Sequence, residues 1–226
     1  ALVGRSTESA LDHLADLISQ AVTTIPDSDY ERVRMAKEGK GTPSTSRLIN
    51  GLVLEKRLAL ERMPRKLEEC QIAVLSCPLE LESSVVSSEI EINTPEQYEA
   101  FIDAEQKQID SITDKAINSG AKAIFSAEGI DQRILHSLAD AGIFALGGIE
   151  KPMAEDIAKA CGAMLCDHLD DISSSLGTIE SLLHQRLEGA EGVRERLIIE
   201  VGPSAGIVTI LVGGTDGVAA EETIRG

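Results

Sequence analysis

Between Gln71 and Cys166 the chain alternates short apolar runs with amphipathic stretches of helical length, and this order constrains the fold more than any other feature. Strands are expected at 71–75, 121–125, 143–146 and 163–166, with helices at 95–118, 131–141 and 153–161 between them. Strands separated by such helices pair in parallel through right-handed crossovers. The longest helix has clear limits. Thr94-Pro95-Glu96-Gln97 offers Thr at the N-cap, Pro at the first helical position and Gln at N3, and Asn118-Ser119-Gly120 is a stop signal. The run 88–92 alternates apolar and acidic residues like a half-exposed strand.

The flanks read differently. Residues 7–25 suit an amphipathic helix with Leu11, Leu14, Ala15, Ile18, Ala21 and Val22 on one face, Thr7 as cap and Pro26-Asp27-Ser28-Asp29 as its end. The stretch 37–46, rich in Gly, Ser, Thr, Lys and Pro, reads as a loop, and 47–55 as one short strand around Gly51-Leu52-Val53-Leu54. Two β-rich runs within 194–212 flank the turn Gly202-Pro203-Ser204-Ala205-Gly206, and a helix-like tail follows Gly213-Gly214-Thr215. No internal repeat is visible. At 226 residues the chain holds one or two domains and buries enough surface to need no disulfide or metal staple.

Charge narrows the function. Thirty-eight acidic against 21 basic residues give −17, spread along the chain. Such a field repels phosphate backbones and anionic lipid, which argues against general nucleic-acid or membrane binding. A surface adapted to high salt, where self-repulsion is screened, and an ordinary acidic protein both fit. Apolar runs of about six residues, as at 207–212, fall far short of the ~20 a bilayer span needs, and no signal-peptide pattern opens the chain. The cysteines at 70, 77, 161 and 166 have neither zinc-knuckle nor redox spacing. They read as free thiols packed as small hydrophobes in a reducing cytoplasm.

Few residues suggest chemistry. His13, His136, His168 and His184 lie far apart without metal-ligand spacing. The densest polar knot, Asp167-His168-Leu169-Asp170-Asp171, follows a strand where α/β folds often bind ligands. Its carboxylates suit a divalent metal, as in a small metal-dependent enzyme or ligand-binding protein, and equally suit a solvated loop. Val212-Gly213-Gly214-Thr215-Asp216-Gly217 matches no nucleotide-binding fingerprint and reads as a phosphate cradle or a tight turn. On the helix at 95–118, Tyr98, Phe101, Ile102, Ile109, Ile112 and Ala116 form an apolar stripe holding two of the five aromatics. The stripe is either core or, in its first half, a surface offered to partners.

Taken in order, a set of short motifs resembles the group II chaperonins, the archaeal thermosome and eukaryotic CCT/TRiC. They are Gly51-Leu52-Val53-Leu54-Glu55-Lys56, Arg62-Met63-Pro64-Arg65-Lys66, Cys77-Pro78-Leu79-Glu80-Leu81-Glu82 and Ser119-Gly120-Ala121. Gly129-Ile130-Asp131, Leu138-Ala139-Asp140-Ala141-Gly142-Ile143 and Gly213-Gly214-Thr215 complete the set, and Leu2-Val3-Gly4-Arg5 resembles the lead into the family's first intermediate helix. The chain departs from the family at Gly147-Gly148, where a basic pair is usual, at Val212, where an Arg precedes Gly-Gly-Thr, and across 172–196.

The resemblance implies an α/β apical domain of swivelling β/α/β type with a protruding helix, on a small discontinuous α+β intermediate domain. Intermediate parts are expected at 1–47 and 197–226, and the apical domain at 48–196 with a helical protrusion at about 83–119. It implies that Gln132, Leu135, His136, Asp140, Glu155, Asp156 and Lys159 face unfolded polypeptide, and that Tyr98, Phe101 and Ile102 lie in a built-in lid. Partners would be unfolded chains and other subunits of a double ring. ATP and Mg²⁺ would act in the family's equatorial domain, whose Gly-Asp-Gly-Thr-Thr loop does not occur here. The expectation is therefore a cytoplasmic chaperonin fragment with no cofactor, metal or catalysis of its own.

Overall fold

The computed structural model describes residues 11–25, 29–39, 41–81, 94–189 and 192–214. The readings at 2–5, Thr7, 26–28, the strand at 88–92, the protrusion's 83–93 and the tail from Thr215 lie outside those residues. Two sheets organise the rest. The small one has three strands in the order β1-β10-β2, where β1 is Val33–Lys37, β2 is Arg47–Ile49 and β10 is Val208–Val212. β1 runs parallel to β10 and β2 antiparallel to it. Helix α1, Leu11–Thr24, turns Leu14, Leu17 and Ala21 inward. Ile18, expected on that face, is exposed instead, because Leu17 supplies the inward contact at the third turn. β1 itself was not expected, since Val33-Arg34-Met35-Ala36-Lys37 reaches across to β10 with little apolar content of its own.

The second sheet has seven strands. β3 (Gly51–Leu54), β9 (Gly192–Glu200), β8 (Gly177–Gly189) and β4 (Lys66–Leu75) form an antiparallel half. β4 then joins β5 (Ala123–Ser126), β6 (Phe144–Leu146) and β7 (Leu165–Cys166), with every one of these pairings parallel. The expected parallel α/β unit is therefore present. What joins it to the antiparallel half is β4, which pairs with β8 from Lys66 to Ile72 and with β7 at Val74 and Leu75.

The stretch read as one strand at 47–55 is two strands in different sheets. Gly51 makes the change possible. Its φ is +152°, and a Cβ there would sit 2.0 Å from the Ile199 carbonyl oxygen. The chain leaves the small sheet at Asn50 and returns to it after Glu200.

Three helices cover the parallel strands. α2 (Pro95–Asn118) and α3 (Gln132–Asp140) contribute Ile109, Ala116, Ile134, Leu135 and Leu138 to a core shared with Ala73, Leu75, Ile124 and Ala145. α4 (Lys151–Cys161) buries Ala154, Ile157 and Ala158 on the other face, against Ile72, Val74, Phe125 and Phe144. Alternate residues of each strand thus serve opposite faces. Each large apolar side chain fully buried there contributes roughly 1.5–3 kcal/mol relative to exposure. Among the described residues no helix is long and apolar enough to cross a membrane.

Candidate functional site

α2 begins as its signal sequence requires: the Thr94 hydroxyl accepts the Gln97 N–H at 3.3 Å, and Pro95 occupies the first turn. Its apolar stripe then splits. Ile109 and Ala116 are buried and Ile112 is half-buried, where the helix packs on α3 and on the 3-10 segment Leu169–Ser174. Lys115 reaches Asp170 at 2.7 Å along that seam and holds the Asp170 carboxyl below the ordinary carboxylate range. Toward the N-terminus the same stripe faces solvent, with Tyr98 57%, Phe101 37% and Ile102 43% exposed. Charged residues surround these three, so an apolar patch stands on an otherwise acidic helix.

On α3, Gln132, His136 and Asp140 are exposed. Leu135, expected beside them, is 9% exposed and packs in the core, because its place in the helical repeat falls over the sheet. Asp131 caps the helix by accepting the Arg133 N–H at 2.7 Å, and the Arg133 guanidinium beside it lowers its carboxyl's pKa. Arg62 binds two of the expected residues together, donating to His136 Nδ1 at 2.6 Å and to the His136 carbonyl at 2.9 Å while meeting Asp140 at 2.8 Å. The motif Arg62-Met63-Pro64-Arg65-Lys66 contains this arginine, but no local pattern announces its pairing, since its partners lie far along the chain.

On α4, Lys159 is exposed and Glu155 and Asp156 are half-buried. Asp156 is already engaged, by Arg34 of β1 at 2.7 Å. α3 and α4 flank β6, the edge strand of the large sheet, on its two faces. After β6, Gly147-Gly148 folds back on the preceding loop, with Gly148 at φ +66° and its N–H on the Glu128 carbonyl at 2.8 Å. That turn occupies the position where a basic pair was expected.

The polar knot lies where β4 and β7 end, the point at which the parallel strand order reverses. A cleft of about 390 Å³ opens there between α2 and the segment 167–170, lined by Cys77, Ile112, Lys115, Asp167, His168 and Asp170 among others. Asp167 accepts the Ser76 hydroxyl and Asp170 pairs with Lys115. Among the described residues no group of three His, Cys, Asp or Glu side chains could hold a metal ion. In the glycine loop, the Gly213 N–H already donates to Ser46 Oγ at 3.0 Å. All four cysteines are free thiols, and burial pushes Cys161 up to about 12.

Comparison with known proteins gives this arrangement a lineage. The model of the TCP-1/cpn60 chaperonin family matches residues 1–226. A thermosome subunit of Methanopyrus kandleri is 32% identical over 98% of this chain and 42% of its own length. The thermosome subunit alpha of Archaeoglobus fulgidus is 34% identical over 98% of this chain and 42% of its own. Among solved structures, an open-state monomer of a group II chaperonin from Methanococcoides burtonii superposes with a TM-score of 0.72 at 23% identity, over 99% of this chain and 51% of that one. The chain thus spans less than half the length of these curated relatives, and with a family model matching it end to end, it belongs to the TCP-1/cpn60 chaperonin family.

Proposed function

We propose that this chain is the polypeptide-binding and motion-relaying part of a group II chaperonin subunit. The observation that carries the reading is the exposure of Tyr98, Phe101 and Ile102 on one face of α2, because a soluble protein gains nothing by wetting three large apolar side chains in a row. An unfolded polypeptide carries the matching feature, apolar side chains without partners. In this reading the first half of α2 belongs to a helical protrusion at about 83–119 that serves as lid. Gln132, His136 and Asp140 on α3, with Glu155 and Lys159 on α4, supply polar contacts flanking β6. Leu135 acts only as support beneath them, and Asp156 is committed to Arg34.

In this reading the large sheet forms the apical domain, expected at 48–196, and the small sheet with α1 the intermediate domain, expected at 1–47 and 197–226, with the change of sheet falling a few residues later on each side, at Asn50 and after Glu200. ATP and Mg²⁺ act elsewhere in the whole subunit, whose partners are its neighbours in a double ring, in the cytoplasm. The test is fluorescence anisotropy of a labelled, permanently unfolded polypeptide titrated with this chain, beside the same polypeptide in a folded form. Saturable binding of the unfolded form alone supports the reading. Equal binding of both, or of neither, refutes it.

A further inference from the structure

Helix α3 carries exposed polar groups in one row. Gln132, His136 and Asp140 are spaced four residues apart and all three are exposed, so consecutive members stand about 6 Å apart along the axis. An extended polypeptide repeats the carbonyls of one edge every second residue, at about 6.6 Å. The row therefore matches an extended backbone in spacing, and what each member donates or accepts decides whether it binds one.

An exposed neutral histidine exchanges between two tautomers, with its proton on Nδ1 or on Nε2. At His136 that choice is made by Arg62, whose Nη2 lies 2.6 Å from Nδ1. A guanidinium donates and never accepts, so Nδ1 is the acceptor and the ring proton sits on Nε2. The same Nη2 donates to the His136 carbonyl at 2.9 Å, and Nη1 meets Asp140 at 2.8 Å. One side chain thus holds ring, carbonyl and carboxylate. Among the described residues nothing meets His136 Nε2.

Arg62 is itself placed by the core. Its neighbour Met63 is buried in the same cluster as Ile134 and Leu138 of α3, and the Met63 N–H closes a turn on the Leu60 carbonyl at 3.1 Å. Helix α3 has no basic residue in its last turn and ends in Asp140, an unfavourable charge at a helix C-terminus that the guanidinium offsets. Both partners of that ion pair are well exposed, so it adds little to stability. Its effect falls on the orientation of the imidazole.

We propose that Arg62 is a positioning residue for polypeptide binding: it fixes the His136 tautomer so that the Nε2–H and the Gln132 carboxamide donate to successive same-edge carbonyls of an extended chain laid along α3. The inference rests on the polypeptide-binding reading and specifies which backbone groups this helix reads.

Long-range proton–nitrogen correlation spectra of the histidine rings test the tautomer in the full chain, with His136→Ala assigning the signal. A proton on Nε2 is expected in the unaltered chain. An averaged tautomer is expected in Arg62→Met, which keeps an aliphatic stem and removes the donors. Anisotropy titration of a labelled, permanently unfolded polypeptide reads the consequence. Arg62→Met and His136→Ala should each weaken binding about three- to tenfold, and the double variant no more than either alone. A proton on Nδ1 in the unaltered chain overturns the inference. So does normal affinity in Arg62→Met, or a loss from Arg62→Met that persists in the His136→Ala background. An unaltered chain that binds no unfolded polypeptide would refute the polypeptide reading, and this inference with it. The tautomer of the unaltered chain is read without changing Arg62, so the inference stays testable if Arg62→Met fails to fold.

Discussion

Ile102 and Ile109 lie seven residues apart on one stripe of α2, yet Ile102 is 43% exposed and Ile109 is 2% exposed. The same side chain therefore does two different things on one helix. Ile109→Ala is expected to cost about 2–5 kcal/mol, as for a large-to-small change in a packed core. Ile102→Ser is expected to stay within about 0.5 kcal/mol of the unaltered chain. Urea denaturation of both variants checks the pair. Similar losses would mean that the stripe is core along its whole length.

Glu69 carries a φ of +42°, the left-handed region, in the middle of β4. The pairings on either side, Glu68 with Ser181 and Cys70 with Ile179, place it opposite Glu180 without a ladder pair of its own. A side chain in this region costs roughly 1–2 kcal/mol that glycine does not pay. Glu69→Gly should therefore raise the melting temperature, and the loss of a like-charge neighbour acts in the same direction. A lower melting temperature would show that the glutamate contributes more than its strain.

The Asp131 carboxyl is held below its ordinary pKa first by the hydrogen bond from the Arg133 side chain. Its contribution to stability is therefore present above the unfolded carboxylate value of about 3.9 and is lost as pH falls through the lower folded value. Asp131→Asn keeps a capping oxygen but removes the charge. The gap in melting temperature between the two proteins should be widest near neutral pH and close in the acid limb. A gap constant down to strongly acid pH would contradict the ionic origin.

The net charge of −17 predicts that melting temperature rises from low to molar salt as self-repulsion is screened. A flat or falling trend would count against a salt-adapted surface.

The parallel half of the fold was legible because its signals are local. Thr94, Pro95 and Ser119-Gly120 bound α2 closely, and the helices observed at Gln132–Asp140 and Lys151–Cys161 fall where the apolar repeat put them. The antiparallel half was legible only in part: β3 and most of β9 fall within the runs read at 47–55 and 194–212, but the first part of β4 and all of β8 were not read as strand. The Lys66–Cys70 part of β4 is polar and partly exposed, and becomes strand only because β8 pairs with it. β8 buries Ile179 and then Leu182 and His184, so its buried positions change parity after Glu180 and no clean alternation marks it, and it lies in the segment that departs from the family pattern. The Asn50 change of sheet depends on a backbone approach of Gly51 to Ile199 that no local pattern reveals. At the candidate site the same limit applies. The residue types on α3 and α4 were legible, but Arg62 and Arg34, which hold three of them, are partners across long sequence separations.

The most direct test of the central claim, that the exposed half of α2 receives unfolded polypeptide, is a binding titration of the triple variant Tyr98→Ser, Phe101→Ser, Ile102→Ser. The variant is expected to melt like the unaltered chain and to lose at least tenfold in affinity for an unfolded polypeptide, about 1.4 kcal/mol. Unchanged affinity in a normally folded variant would contradict it.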